Sequence, residues 1–251
     1  MQNSSLRRFV GKVVLVTGAS TGIGLATIRR LHLEGATVIA AHRRDPNSVD
    51  VDGAPSVALD VTDEAQWQLA VDSVIARCGR LDVLINNAGV RASGRIEETD
   101  RKLWYQMIDT NLTSIFLGCR ACVPMIRAAG GGAIVNVGSI TGIRGTENMV
   151  AYSASKSGIT TLTASLALDL ARDNIRVNAV CPASIDTNMV SSWLMNEPDP
   201  AAASSAVVAK HPLGRIGRPE EVAGTIAFLA SADAGFMTGL SIPVDGGRSI
   251  R

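Results

Sequence analysis

Tyr152 and Lys156 stand four residues apart in a stretch patterned as a helix, so their side chains share a face. A cationic lysine beside a phenol favours the phenolate and draws its pKa down from about 10. A tyrosine placed this way serves as a general acid toward a ketone or a general base toward an alcohol. Ser139 closes an apolar run in Val137-Gly138-Ser139-Ile140-Thr141-Gly142. Its hydroxyl could donate to the reacting oxygen. Taken singly, each has an ordinary explanation: a solvated helix face for Tyr152 and Lys156, a turn for Ser139. The chemistry rests on the set.

A second group of residues suits a phosphate. The apolar run Val13–Val16 leads into Thr17-Gly18-Ala19-Ser20-Thr21-Gly22-Ile23-Gly24, followed by a helix pattern. Glycines let a backbone approach a pyrophosphate, and the free N–H groups of a helix start favour its charge. Glycines also build ordinary tight turns, and position after the first buried strand favours the nucleotide. The second apolar run ends in Ala40-Ala41-His42-Arg43-Arg44. An acid there would accept the 2′-hydroxyl of NAD. Two guanidinium groups suit a 2′-phosphate instead, so NADP(H) is preferred and NAD(H) is the alternative. Under that alternative the arginines are a solvated turn beside Asp45, and Thr21 offers only a hydroxyl to the phosphate. Asp60-Val61 closes the third run; Asp60 could accept from an adenine amino group or cap the helix near Asp63. Asn86-Asn87-Ala88-Gly89 closes the fourth and suits either the ligand crevice or a stabilised turn.

Seven short apolar runs would have to position these groups. Lys12–Thr17, Thr37–Ala41, Ser56–Leu59, Val83–Asn86, Ala133–Val137 and Ile175–Val180 are β-branched and apolar on both faces, as buried parallel strands are. Leu240–Val244 reads as a last strand near an edge, because Pro243 cannot donate to a ladder. Helix patterns fall at about 23–34, 63–78, 101–129, 152–172 and 219–231. Gly35 and Gly79 fit helix C-termini, and Pro219 with two following acids fits a helix start. The alternation predicts one α/β, doubly wound Rossmann-type domain over 11–251, a parallel seven-stranded sheet with helices on both faces. Residues 1–10 read as a polar extension. Residues 188–213 break the rhythm and read as a disordered loop or a substrate lid.

Composition narrows the class. The 251 residues carry a formal charge of +1, which suits neither a nucleic-acid surface nor an acidic tail. With 46% apolar and 19% charged residues the chain is expected to fold as a globule. Cys119 and Cys122 form a C-x-x-C with no second ligand pair, so no metal is expected and two buried helix residues are. No apolar run is long enough to span a membrane, and no secretory h-region is visible. A cytoplasmic location follows as the expectation.

These motifs together resemble the classical short-chain dehydrogenase/reductase family. The likeness runs from about Gly11 to Gly247 through TGASTGIG (17–24), DV (60–61), NNAG (86–89), Asn111, Ser139, YSASK (152–156), Asn178 and VDGG (244–247). It implies a tetrad in which Tyr152 is the acid/base and Lys156 holds the nicotinamide ribose and lowers the tyrosine pKa. Ser139 positions the substrate oxygen, and Asn111 kinks its helix and holds a relay water. It further implies cofactor contacts from Gly18, Ser20, Thr21, Gly22, Ile23, Gly24, His42, Arg43, Arg44, Asp60, Val61, Asn87, Ala88 and Gly89. Pro182, Ile185 and Thr187 complete that set, with Tyr152 and Lys156. A homotetramer built on the two long helices is implied as well. The family's Pro-Gly after the sixth strand is Pro182-Ala183 here, which questions any positive φ at that point.

The resemblance implies hydride transfer between NADP(H) and a secondary alcohol or ketone. Substrate candidates come from the loops Val90–Ser93 and Ile140–Met149 and from 188–213: Arg91, Thr141, Arg144, Met149 and Trp193, with Met195 beside them. Arg144 or Arg91 could hold an anionic group, although a surface arginine is the plainer reading. Two competing classes are a non-catalytic nucleotide sensor, which would be free to lose Tyr152 or Lys156, and a sugar-nucleotide epimerase, which would carry a longer C-terminal region.

Overall fold

The computed structural model describes residues 7–46 and 49–251. Seven strands form one parallel sheet: β1 (Val13–Thr17), β2 (Thr37–His42), β3 (Ser56–Ala58), β4 (Val83–Asn86), β5 (Gly132–Val137), β6 (Ile175–Pro182) and β7 (Ser241–Val244). Their order is β3-β2-β1-β4-β5-β6-β7. All seven expected strands form, and β7 lies at an edge, where the missing N–H of Pro243 is tolerated. The chain runs outward from β1 to β3, then returns to the other side of β1 with β4. That reversal opens a crevice at the carboxyl ends of β1 and β4.

Alternating side chains fill two cores. Leu15, Ile39, Leu84, Ile134 and Val177 face one layer with Trp67, Ile126 and Ile159. Their neighbours Val14, Val38, Ile85 and Val135 face the other with Ile28, Leu31 and Ile226. These layers come from α2 (Glu64–Cys78), α4 (Ser114–Ala128) and α5 (Val150–Leu170) on one face, and α1 (Gly22–Leu33) and α8 (Pro219–Ala230) on the other. Gly79 closes α2 at φ 71, as its position after the helix suggested.

Three boundaries differ from the sequence expectation. The helix over 101–129 is split into α3 (Arg101–Ile108) and α4 by a π-helical turn, Asp109–Thr113, because the Asn111 side chain bonds outside its own helix. Residues 188–213 are an ordered pair, α6 (Asn188–Met195) and α7 (Pro200–Ala209), the second opened by an Asp199 cap and Pro200. The supposed polar extension stops short of residue 8. Phe9 is buried in the α1/α8 core, and Arg8 pairs with Glu34 and Asp233; residues 1–6 lie outside the described residues.

The edge opposite the crevice is held by a buried carboxylate. Asp82 accepts from Val13 N and Lys12 Nζ, both at 3.0 Å, and from Arg80 Nε at 2.9 Å. Burial pushes its pKa up, but Arg80, the Val13 N–H and Lys12 outweigh burial and hold it below the usual range. The folded carboxyl therefore titrates below the unfolded one. Its stabilising contribution is present above about pH 4 and fades as pH falls through the folded value. Asp82→Asn should cost about 1–3 kcal/mol, because Lys12 and Arg80 are half-exposed and rehydrate. Thermal melts should show a Tm lower by about 2–4 °C per kcal/mol, with the difference from wild type shrinking at acid pH.

Candidate active site

The glycine turn lies at the crevice and is locked to the turn after β4. Thr17 Oγ1 accepts from Asn87 N and Ala88 N at 3.0 Å each, and Asn87 Nδ2 donates to Thr17 O and Gly18 O at 2.9 and 3.0 Å. Gly18 has φ 62, and a Cβ there would stand 2.7 Å from Ala88 Cα. Gly22 has φ 55 and faces Thr187, whose methyl would lie 3.0 Å from an added Cβ. Thr21 occupies the N-cap of α1 without a side-chain cap bond, so the first N–H groups of that helix keep their affinity for an anion. Ser20 is half-buried beside them, Gly24 is buried, and Ile23 packs against the core. A backbone this close-packed, with an uncapped helix start, fits a dinucleotide pyrophosphate.

The flanking residues sort by exposure. Arg43 and Arg44 are exposed at the carboxyl end of β2. His42 is buried, with Nε2 3.3 Å from Ser56 Oγ and Nδ1 unpartnered among the described residues. Asp60 accepts from Thr62 N and Thr62 Oγ1 at 3.0 and 2.7 Å. The Thr62 backbone bond is the main cause of its lowered pKa, with a smaller contribution from the Arg43 charge. Asp60 does not cap α2; Asp63 does, accepting from Ala65 N and Gln66 N. Val61 is buried, and its carbonyl accepts the Trp67 indole N–H at 2.9 Å.

Beyond the crevice the sheet brings together Ser139, Tyr152 and Lys156. Ser139 follows β5 and caps a 3-10 turn, Ile140–Gly142. Its Oγ accepts from Thr141 N at 3.2 Å and lies 3.1 Å from Thr141 Oγ1. Tyr152 is half-buried in the first turn of α5, and Lys156 lies one turn further on at 5% exposure. Lys156 Nζ donates to Val137 O at 2.9 Å and stands 5.9 Å from the Tyr152 ring centroid. Burial pulls the Lys156 ammonium down to about 8. Burial also pushes the Tyr152 phenol above its ordinary value, against the Ser139 hydrogen bond and the Arg91 charge. The expected lowering of Tyr152 by Lys156 is absent from this arrangement, because the ammonium is directed at the β5 carbonyl and desolvation dominates.

Asn111 ties the two halves together. Its Oδ1 accepts from Val90 N at 2.8 Å, and its Nδ2 donates to Val90 O and Ser155 Oγ, each at 3.0 Å. A Cβ on Gly89 would lie 3.1 Å from that Oδ1 and 3.6 Å from Lys156 Nζ, so the β4 turn needs a glycine to pass between them. Pro182 ends β6, Ile185 is buried, and Thr187 caps α6 in extended geometry. Ala183 does not have a positive φ, so alanine in the Pro-Gly position introduces no strain.

Ser139 and Tyr152 line a cleft of about 770 Å³. All five substrate candidates, Arg91, Thr141, Arg144, Met149 and Trp193, line it too. Met189 and Val190 of α6 and Val207 of α7 line it as well, so the 188–213 segment contributes part of its wall. Met195 does not line it and stays exposed. Arg144 Nη1 donates to the backbone carbonyls of Arg248 and Arg251. Arg248 and Ser184 were not among the sequence candidates, and no local signal marks them. Cys119 and Cys122 are buried free thiols, Cys119 pushed up to about 12 by burial, and no cluster of three metal-ligating residues occurs among the described residues.

Gly18→Ala puts a side chain against the Ala88 backbone at a left-handed φ. Nucleotide affinity should fall by about tenfold or more, together with a lower Tm. Titration calorimetry checks it, and wild-type affinity would show that this turn is not the phosphate cradle.

Residues 18–249 match the family model described as enoyl-(acyl carrier protein) reductase. The chain is 40% identical over 248 residues to the 3-oxoacyl-[acyl-carrier-protein] reductase of Thermotoga maritima, covering 96% of this chain and 98% of that protein. It is 41% identical over 247 residues to the cis-4-hydroxycyclohexanecarboxylate dehydrogenase of Sinomonas cyclohexanicum, covering 95% and 97%. The solved structure of Thermoplasma acidophilum aldohexose dehydrogenase superposes with a TM-score of 0.90 at 38% identity, covering 98% and 96%. With likeness of this extent over one shared fold, the chain belongs to the classical short-chain dehydrogenase/reductase family of NAD(P)-dependent oxidoreductases.

Proposed function

We propose that this enzyme interconverts a secondary alcohol and a ketone with NADP(H), Tyr152 acting as the acid/base. The observation that carries the reading is the placement of Ser139 and Tyr152 on one cleft, with Lys156 buried one turn behind them. The relatives' names, a reductase and dehydrogenases, are in keeping with it. A nicotinamide dinucleotide, when bound, supplies or accepts the hydride. The glycine turn would hold its pyrophosphate, Arg43 and Arg44 its 2′-phosphate, and Asn87–Gly89, Ile185 and Thr187 its nicotinamide half.

The chain's own residues manage the proton. Ser139 donates to the substrate oxygen and fixes it beside the phenol. Tyr152 gives its proton to the forming alkoxide in reduction and takes it back in oxidation. Lys156 keeps a positive charge near the phenol and holds the cofactor ribose. Asn111, fixed on Val90 and Ser155, positions a relay water. Exposed Phe116 on α4 and Leu168 on α5 would be covered in a homotetramer built on these helices.

Reduction needs the protonated phenol, so its rate should fall as pH rises through the Tyr152 pKa. Oxidation needs the phenolate and should rise over the same interval. Tyr152→Phe should lower kcat by about 10²–10⁴-fold while nucleotide affinity stays at the wild-type value. A fully active variant would refute the assignment. Fluorescence titration should find NADPH at least about tenfold tighter than NADH, a difference near 1.4 kcal/mol. Replacing both Arg43 and Arg44 with Ser should close that gap. Equal affinities in the wild type would mean an NAD-dependent alcohol dehydrogenase with a solvated arginine turn, and binding of neither would overturn the dinucleotide reading of the glycine turn.

A further inference from the structure

The cleft that holds Ser139 and Tyr152 is unevenly charged. Five basic side chains line it, Arg91 and Arg248 among them, against two carboxylates, Glu147 and Glu197. Arg91 and Arg248 are both half-buried. Neither is ion-paired with any of the described residues. Half-burying two guanidinium groups in one cleft without a close ion pair is unfavourable, and each feels a like charge: Arg248 acts on Arg91, and Arg144 acts on Arg248. Glu197 offsets Arg91, and Asp245 offsets Arg248, only through space.

Both groups are held in place. The Arg91 guanidinium stacks on the Trp193 ring, 4.3 Å from its centroid. Stacking occupies the face of the guanidinium and leaves its in-plane N–H fork open. Its root is fixed as well, since Asn111 clamps both the N–H and the carbonyl of Val90. Arg248 donates to Ser184 Oγ at 3.0 Å, and its backbone sits in a turn whose Gly247 and Ser249 N–H groups bond the Asp245 carboxylate. Arg144 secures the same turn through the Arg248 carbonyl. Met149, Met189, Val190 and Ile140 give the cleft an apolar wall, alongside the polar Ser93, Thr141, Thr146 and Asn148.

We propose that the substrate is a keto or hydroxy acid with an apolar carbon body, its carboxylate gripped by Arg91 and Arg248 while its reacting oxygen meets Ser139 and Tyr152. A carboxylate suits the in-plane fork of Arg91 because it accepts two parallel N–H bonds. The inference rests on the oxidoreductase reading for turnover, but the carboxylate grip itself does not require turnover.

Two measurements on the cofactor-loaded enzyme separate those claims. The first compares 4-oxocyclohexanecarboxylate with its methyl ester in steady-state reduction. The acid should exceed the ester in kcat/KM by about tenfold or more, mainly through KM. In Arg248→Met and Arg91→Met that ratio should collapse toward one, with partial return in Arg91→Lys. The second is calorimetric titration with cyclohexanecarboxylate, which cannot be reduced. Binding should weaken by about tenfold or more in Arg248→Met and persist in Tyr152→Phe. Retained carboxylate binding with no turnover of either ketone would sink the oxidoreductase reading and leave the grip standing. An ester used as well as the acid, or a wild-type enzyme that does not bind the saturated acid, would overturn the grip.

Discussion

A single buried amide holds the loop after β4 and helix α5 in register. Asn111 has no exposed surface and satisfies its carbonyl and amino groups on Val90 and Ser155. Those partners belong to the loop after β4 and to the helix that carries Tyr152 and Lys156. The helix loosens into a π turn at Asp109–Thr113, where this amide reaches out of it. The local cost of that turn is a distorted hydrogen-bond ladder, a feature found often at functional sites. Its return is a fixed distance between the loop after β4 and the helix that carries Tyr152 and Lys156.

The same logic of full satisfaction explains why the site tolerates buried charge. Lys156 is desolvated, and the Val137 carbonyl answers it. Asn86 donates to Asn136 at 2.9 Å, and Asn136 to Thr163 at 3.0 Å, so a polar chain crosses from β4 through β5 to α5 with each link made. A half-made network here would be worse than an apolar core. Tyr152 stands apart from this network, and burial pushes its phenol above the ordinary value.

Much of this was readable in advance, for identifiable reasons. A buried parallel strand must be apolar on both faces, so Val13–Thr17 and Val83–Asn86 announce themselves. The glycine turn and Tyr152 with Lys156 are local patterns, and local patterns survive without a structure. The π turn was legible only as the kink that the family resemblance implies at Asn111; its shifted hydrogen-bond ladder leaves no pattern in the spacing. The α6 and α7 pair was obscured by Ala, Ser and proline, although Asp199 before Pro200 is a helix start that could have been recognised. Arg248 was out of reach for a different reason. Its place beside Arg91 arises when β7 returns past the end of β6, a relation between residues far apart in the chain that no spacing encodes.

The division of labour along the sheet follows from strand direction. The amino ends of β1 and β4 meet over Asp82, where charge serves stability alone. The carboxyl ends carry the glycine turn, Asn87, Ser139 and the β6 loop, where the unpaired ends of parallel strands and helix starts are free to meet ligands. The cleft is then completed by three segments that contribute little to the sheet: 140–149, the α6 and α7 pair, and the turn at Arg248. A chain can therefore change what the cleft accepts by changing those segments, while Asn111, Ser139, Tyr152 and Lys156 stay bolted to β4, β5 and each other. Under the proposed function, specificity would reside in segments that can vary, and proton transfer in elements that the core holds fixed.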